Sequence, residues 1–349
     1  MDSINTREDV LKLGIIDPEL EETLKSTPFP RTFNTPSIEQ LRQATSTAEQ
    51  TNYTTSPTHN THESTITIPM RDGHLNEIRL IKHNTIPKNA PLIILIHGGG
   101  YIMGTNMQCI PWARPIAALY GAIIALPSYR LAPEYKFPFA PHDIWDSLSW
   151  LASNASSLGA DLSAGFVIGG CSAGAGLAIV TAHRALREAL GSPLTGVLAN
   201  IPGCISEETL PGKYKDLWVS RDQNAEALIL DRKLLGVIEE AYGMDVYSED
   251  YSPFNDGVLF EGLPRTYVQV AGMDTLRDDG IVYAKTLRDY GVDVKLDIYP
   301  GVPHGHFNIW PKLGLSVKSQ VDTIWNIGWL LDRGLERERV EELWIASMG

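Results

Sequence analysis

The chain has 349 residues, 43% apolar and 20% charged, and its 29 Lys and Arg against 42 Asp and Glu leave a net charge of −13. That is ordinary globular composition, with enough chain for a core on both faces of a sheet. Scattered basic residues on an acidic chain argue against nucleic acid or an anionic membrane surface as partner, and no apolar run approaches the roughly 18 residues of a membrane helix.

The first residues, "MDSINTREDVLKLG", carry early charges and no apolar stretch. No secretory signal is visible, and a cytoplasmic location is expected. The cysteines, Cys109, Cys171 and Cys204, are odd in number, widely spaced and without a C-x-x-C. That pattern suits neither a disulfide framework nor a zinc site, and it fits a reducing compartment.

Residues 1–60 read as helical in patches ("DPELEETLKS", "SIEQLRQATSTAEQ") with Pro- and Thr-rich breaks. Next, "STITIPM" and "LNEIRLIKH" alternate apolar and polar residues around the turn "RDG". They predict two half-exposed strands. The character then changes. "PLIILIH" (91–97), "GAIIALP" (121–127), "GFVIGG" (165–170) and "GVLANIP" (196–202) are short, nearly continuous apolar runs. Such runs suit strands buried on both faces of a parallel sheet. Helix-period segments separate them: "MQCIPWARPIAALY", "PHDIWDSLSWLAS" and "AGAGLAIVTAHRALREAL". After residue 262, "RTYVQVAG" with "GIVYAKTLRDYG" and "DVKLDIYP" with "VDTIWNIGWLLDRG" complete two more strand–helix units. Alternation of this kind predicts a doubly wound α/β fold, a mostly parallel sheet flanked by helices.

Residues 204–262 break the alternation. "YKDLWVS" and "AEALILDRKLLGVIEEAYG" predict a mostly helical insertion. The expected organisation is a catalytic domain from 61–203 and 263–349, a helical cap insertion at 204–262, and an N-terminal segment, 1–60, contributing to the cap. A cap belongs over the carboxyl ends of the strands, where open α/β sheets bind ligands.

Gly170-Cys171-Ser172-Ala173-Gly174 fits G-x-S-x-G between a predicted strand and a predicted helix. A nucleophile elbow holds its serine in such a turn, and flanking side chains would clash there. The bland reading, a glycine-rich turn with an incidental serine, loses to that context. A dinucleotide loop fails because Gly170, Gly174 and Gly176 do not fall in G-x-G-x-x-G order. Cys171 reads as a small buried thiol.

"HGGGY" (97–101) follows a buried strand. Three glycines in a row lower stability, so the loop needs a function. Exposed backbone N–H groups facing a developing oxyanion supply one. Gly99, Gly100 and Ala173 are the candidate donors, and His97 reads as a residue that orients the loop. A phosphate loop would need a following Gly-Lys-Ser/Thr.

A nucleophilic serine requires a base and a group to orient it. Asp274 stands just past the strand "RTYVQVAG", while Asp278 and Asp279 read as the charged first turn of a helix. His304 and His306 leave the last predicted strand in "YPGVPHGHFNIW", and only these two histidines occupy the right topological place. Tyr101 beside the oxyanion loop, and Phe29, Phe33, Tyr214, Trp218 and Leu228 in the cap segments, are candidate walls of an apolar substrate pocket.

Over residues 60–335 the chain resembles the hormone-sensitive-lipase-like family of α/β-hydrolases. The resemblance rests on "HGGGY", "YRLAPEYKFPFAPHD", "GCSAG", "DTLRDDG" and "HGHF" in that order. It implies the α/β-hydrolase fold, Ser172 as nucleophile, Asp274 as orienting acid and His304 as base. It also implies hydrolysis of esters with short to medium acyl chains, and no metal or cofactor. "YRLAPE" is expected to be structural. The chain departs from the family in having Cys171 where Asp often precedes the nucleophile, Ala175-Gly176 for Gly-Asn, Thr275 for Pro, and His306 between Gly305 and Phe307. Two other functions share the fold. One is dehydration, cyclisation or thioester release in natural-product synthesis. The other is small-molecule reception, whose members lack a working base. The expected partner is a small-molecule ester, and a homodimer is a further expectation.

Overall fold

The computed structural model describes residues 4–29, 37–255 and 260–347. Three helices come first: α1 (Arg7–Lys12), α2 (Pro18–Ser26) and α3 (Ile38–Thr55). Each starts at a side chain that takes up an orphan N–H, Thr6, Asp17 and Ser37 respectively, as helix N-termini require. Strands β1 (Thr61–Pro69) and β2 (Leu75–His83) form the expected antiparallel hairpin. Gly73, at φ +84°, closes its turn.

The remaining elements alternate: β3 (Leu92–Ile96), α4 (Ile110–Tyr120), β4 (Ile123–Pro127), α5 (Phe139–Leu158), β5 (Phe166–Cys171), α6 (Ala173–Arg187) and β6 (Gly196–Asn200). The insertion follows, with short α7 (Ser220–Gln223) and α8 (Arg232–Tyr242). Then come β7 (Arg265–Ala271), α9 (Arg277–Asp289), β8 (Val294–Tyr299), α10 (His306–Ile309), α11 (Gly314–Leu330) and α12 (Arg337–Ser347). The insertion is less helical than its composition suggests. Asp231 interrupts "AEALILDRKLL": its carboxylate accepts the Leu234 N–H at 2.8 Å and starts α8 there.

The eight strands form one sheet in the order β1-β2-β4-β3-β5-β6-β7-β8, parallel from β4 to β8. β3 shows why the apolar runs are continuous. Its Leu92, Ile94 and Ile96 join the core beneath α5, α6 and α9, while Ile93 and Leu95 join that beneath α4, α11 and α12. With both faces covered, no position can be polar. The chain leaves β3 for β4 on one side and returns to β5 on the other, so a crevice opens between the carboxyl ends of β3 and β5. No helix among the described residues is long and apolar enough to cross a membrane.

Candidate active site

Ser172 sits where β5 turns into α6, at φ +54° and ψ −120°, a strained conformation for any side chain but glycine. Its N–H is held by the Asn200 carbonyl at 2.8 Å. The glycines around it are sterically required. A Cβ on Gly170 would lie 2.4 Å from the Gly174 carbonyl, and one on Gly174 would lie 2.2 Å from the Ile96 oxygen. Both contacts are with backbone, which cannot step aside.

Two later loops reach the same edge of the sheet. His304, past β8, places Nε2 2.9 Å from Ser172 Oγ. Asp274, past β7, places Oδ2 2.7 Å from His304 Nδ1. The carboxylate is completely buried, and its Oδ1 accepts the Leu276 N–H at 2.8 Å. Asn224 of the insertion donates to the Asp274 carbonyl at 2.8 Å. His306 turns away and shares a hydrogen bond with Ser316 Oγ at 2.8 Å. Burial holds its imidazole neutral by pushing its pKa down to about 3.

The glycine loop faces the serine from β3. Gly99 and Gly100 take φ values of +118° and +60°. Their N–H groups, and that of Ala173 at the start of α6, have no acceptor among the described residues. The Gly98 N–H is different, since Gln108 Oε1 accepts it at 2.6 Å. His97 stacks on Tyr129 with ring centroids 4.2 Å apart, and Tyr129 Oη donates to the His97 carbonyl at 3.1 Å. Burial lowers the His97 pKa to about 4, so it supports the loop as a neutral ring. "YRLAPE" therefore braces the loop: Tyr129 lies under His97, and Arg130 forks onto the buried Asp143. The Cys171 thiol is buried, and burial with the nearby Asp274 charge pushes its pKa up to about 12. At neutral pH it is no competing nucleophile.

A cavity of about 360 Å³ opens above Ser172. Its apolar wall comes from the insertion, chiefly Leu230, Leu234, Leu235, Ile238 and Met244. α8 comes close to the loop: a Cβ on Gly100 would lie 2.6 Å from Ile238 Cδ1. The opposite wall is α3, through Ala48 and a polar row of Thr45, Glu49 and Asn52. Arg42 fastens that helix, donating to the Ile102 and Ala132 carbonyls and pairing with Glu134 at 2.7 Å. Glu49 accepts from Thr105 Oγ1 at 2.6 Å, and burial raises its pKa.

The pocket expectations need correction. Tyr101 does line the cavity, its ring stacked on Tyr242 at 4.0 Å. Phe29 instead packs on Trp310, with ring centroids 5.4 Å apart. Tyr214 donates its hydroxyl to Asp289, and Trp218 Nε1 donates to Asp279 Oδ1 at 2.9 Å. Their polar tips find carboxylates on α9, which draws both rings onto the body and out of the wall. Leu228 is also outside the wall, which takes its neighbours Ile229 and Leu230. Phe33 lies outside the described residues.

Asp278 and Asp279 do stand in the first turn of α9, but they do more than complement its dipole. Both are completely buried. Asp278 accepts the N–H groups of Val219 and Ser220 at 2.7 and 2.6 Å. Asp279 accepts those of Cys204 and Ile205 at 3.0 and 3.1 Å, and pairs with Arg221. They fix the insertion to the first turn of α9. Consecutive acids at a helix start offered no sign of this, because the donors are backbone groups 58 to 75 residues away in sequence. Among the described residues, no cluster of His, Cys, Asp and Glu is placed to hold a metal ion.

A family profile for the alpha/beta hydrolase fold matches residues 93–308. An AB hydrolase superfamily protein of Schizosaccharomyces pombe is 32% identical over 92% of this chain and 95% of its own length. A carboxylesterase of Mycobacterium tuberculosis is 34% identical over 66% of this chain and 71% of its own. Among solved structures, vibralactone cyclase superposes with a TM-score of 0.85 at 28% identity, covering 92% of this chain and 96% of that one. The chain belongs to the hormone-sensitive-lipase-like family of α/β-hydrolases, as a carboxylic ester hydrolase.

Proposed function

We propose that the protein cleaves small to medium esters through an acyl-enzyme on Ser172. The observation that carries this reading is the unbroken chain of contacts from Asp274 Oδ2 through His304 to Ser172 Oγ, 2.7 and 2.9 Å long. It lies beside three N–H groups that have no acceptor among the described residues.

His304 Nε2 takes the hydroxyl proton as Oγ attacks the acyl carbon. Asp274 holds the ring with Nδ1 protonated and stabilises the imidazolium that forms. The N–H groups of Gly99, Gly100 and Ala173 receive the oxyanion of the tetrahedral intermediate. Collapse of that intermediate breaks the C–O bond, and the alcohol leaves with the proton from Nε2. Water, deprotonated by the same nitrogen, then attacks the acyl-enzyme and releases the acid. Residues 1–60 and 204–262 act as the cap that excludes bulk water. The cavity volume and its apolar insertion wall support short to medium carbon chains.

The test is release of p-nitrophenol from p-nitrophenyl butyrate by the protein and by Ser172→Ala. Serine-dependent turnover is expected. No turnover, together with no labelling by a serine-directed phosphonate, overturns the reading. The likeness to vibralactone cyclase favours a second reading. Here an internal hydroxyl of the acyl group replaces water as the acceptor, and the product is a lactone. A hydroxyacyl ester separates the two by whether hydroxy acid or lactone is released.

A further inference from the structure

A second cavity shares a wall with the one above Ser172. The second, of about 370 Å³, lies beyond Cys171 and extends to Trp112, Gln320 and Trp344. It shares four wall residues with the first: Asn52, Gln108, Cys171 and Asn308. Three of the four are carboxamides, brought together from α3, the loop before α4, and α10.

Gln108 is fixed in the shared wall. Its Oε1 is taken by the Gly98 N–H, so only the Nε2 donors remain to face a ligand. Neither that nitrogen nor the side-chain amides of Asn52 and Asn308 has a partner among the described residues. An apolar chain laid along this shared wall would strip water from the half-buried amides of Asn52 and Gln108, and from the exposed amide of Asn308 where it covers it, and return no hydrogen bond, which is unfavourable. A carbonyl oxygen would replace the water. No charged side chain stands among the four shared residues, so a neutral acceptor matches them best.

We propose that the ester cleaved at Ser172 carries a second carbonyl-type oxygen, seated among Asn52, Gln108 and Asn308 as the substrate extends from the first cavity into the second. This rests on the ester-hydrolase reading above. The oxygen belongs either to the acyl part or to the alcohol part, and both present the same acceptor.

The test uses two matched pairs. On the acyl side, p-nitrophenyl levulinate is compared with p-nitrophenyl isocaproate. On the alcohol side, acetonyl acetate is compared with isobutyl acetate. Each pair differs by a ketone in place of a branched carbon. The readout is the ratio of kcat/KM within a pair, which cancels any general loss of activity. The near-isosteric variants Asn52→Leu and Asn308→Leu, on different elements, are expected to lower that ratio about tenfold in one pair. The affected pair says which part of the substrate enters the second cavity. A ratio unchanged by both variants in both pairs overturns the proposal. Failure of the wild-type protein to cleave isocaproate, isobutyl acetate and p-nitrophenyl butyrate overturns the ester-hydrolase reading instead.

Discussion

Asp274→Asn tests the relay where the structure is most constrained. The carboxylate has two fixed neighbours, the Leu276 N–H at 2.8 Å and His304 Nδ1 at 2.7 Å. An amide can satisfy the first only by presenting its oxygen there, which turns its NH₂ toward Nδ1. Nδ1 must then accept, the ring proton moves to Nε2, and His304 can no longer take a proton from Ser172. The reverse orientation restores the working tautomer but faces the amide NH₂ with the Leu276 N–H in a fully buried site. Two unsatisfied donors at about 1–3 kcal/mol each disfavour it by about 2–6 kcal/mol. That corresponds to a loss in kcat between about 30-fold and about 10⁴-fold, the upper end matching what a wrong tautomer costs a serine hydrolase. The assay is kcat on p-nitrophenyl butyrate at neutral pH, with thermal unfolding as the control for folding. A variant that folds and retains kcat within about threefold of wild type refutes the tautomer argument.

Two further outcomes follow from buried charge. Burial holds His306 at about 3 and His97 at about 4, against an ordinary 6.5. Below pH 6.5 the unfolded chain binds protons that the folded chain refuses, so their contribution to stability is complete above 6.5 and is lost as pH falls toward the folded values. Each contributes about 1.4 kcal/mol per pH unit well inside that window. Urea unfolding between pH 6 and pH 4 should show His306→Gln with a shallower slope by one proton, and an unchanged slope would contradict this. Asp279→Ala leaves the Cys204 and Ile205 N–H groups, the Trp218 indole and the Arg221 guanidinium without their carboxylate. A loss of about 3–5 kcal/mol is expected in denaturant unfolding, and a loss below about 1 kcal/mol would show that the insertion is anchored elsewhere.

The sheet was legible because burial on both faces leaves a one-dimensional trace: β3 to β6 are apolar at almost every position. The elbow was legible because sterics demand glycine at 170 and 174 whatever the rest of the chain does. Asp274 and the pair His304 and His306 followed from chain order, since each stands just past a strand that ends at the same edge, and the family resemblance chose His304 between the two. The cavity walls were not legible. An aromatic residue in a cap segment packs equally well inward or against the body, and the choice for Tyr214 and Trp218 turned on α9 carboxylates distant in sequence. The polar face of α3 gave the opposite problem. Thr45, Glu49 and Asn52 look like a solvated stripe, and only the fold shows that a cavity replaces the solvent. Gln108 carried no signal at all, because its partner is a backbone N–H.

Residues 274–279 support two things at once. Asp274 steadies the imidazole, and four and five positions later Asp278 and Asp279 grip the insertion. On the acyl-enzyme reading proposed above, a ligand that lifts the insertion pulls on the strut that would align proton transfer, so enlarging the chamber from that side trades against turnover. The α3 wall hangs from Arg42 and the Ile102 and Ala132 carbonyls. It can be reshaped for a new guest while the strut stays still, which makes α3 the side from which selectivity can change with residues 274–279 left in place.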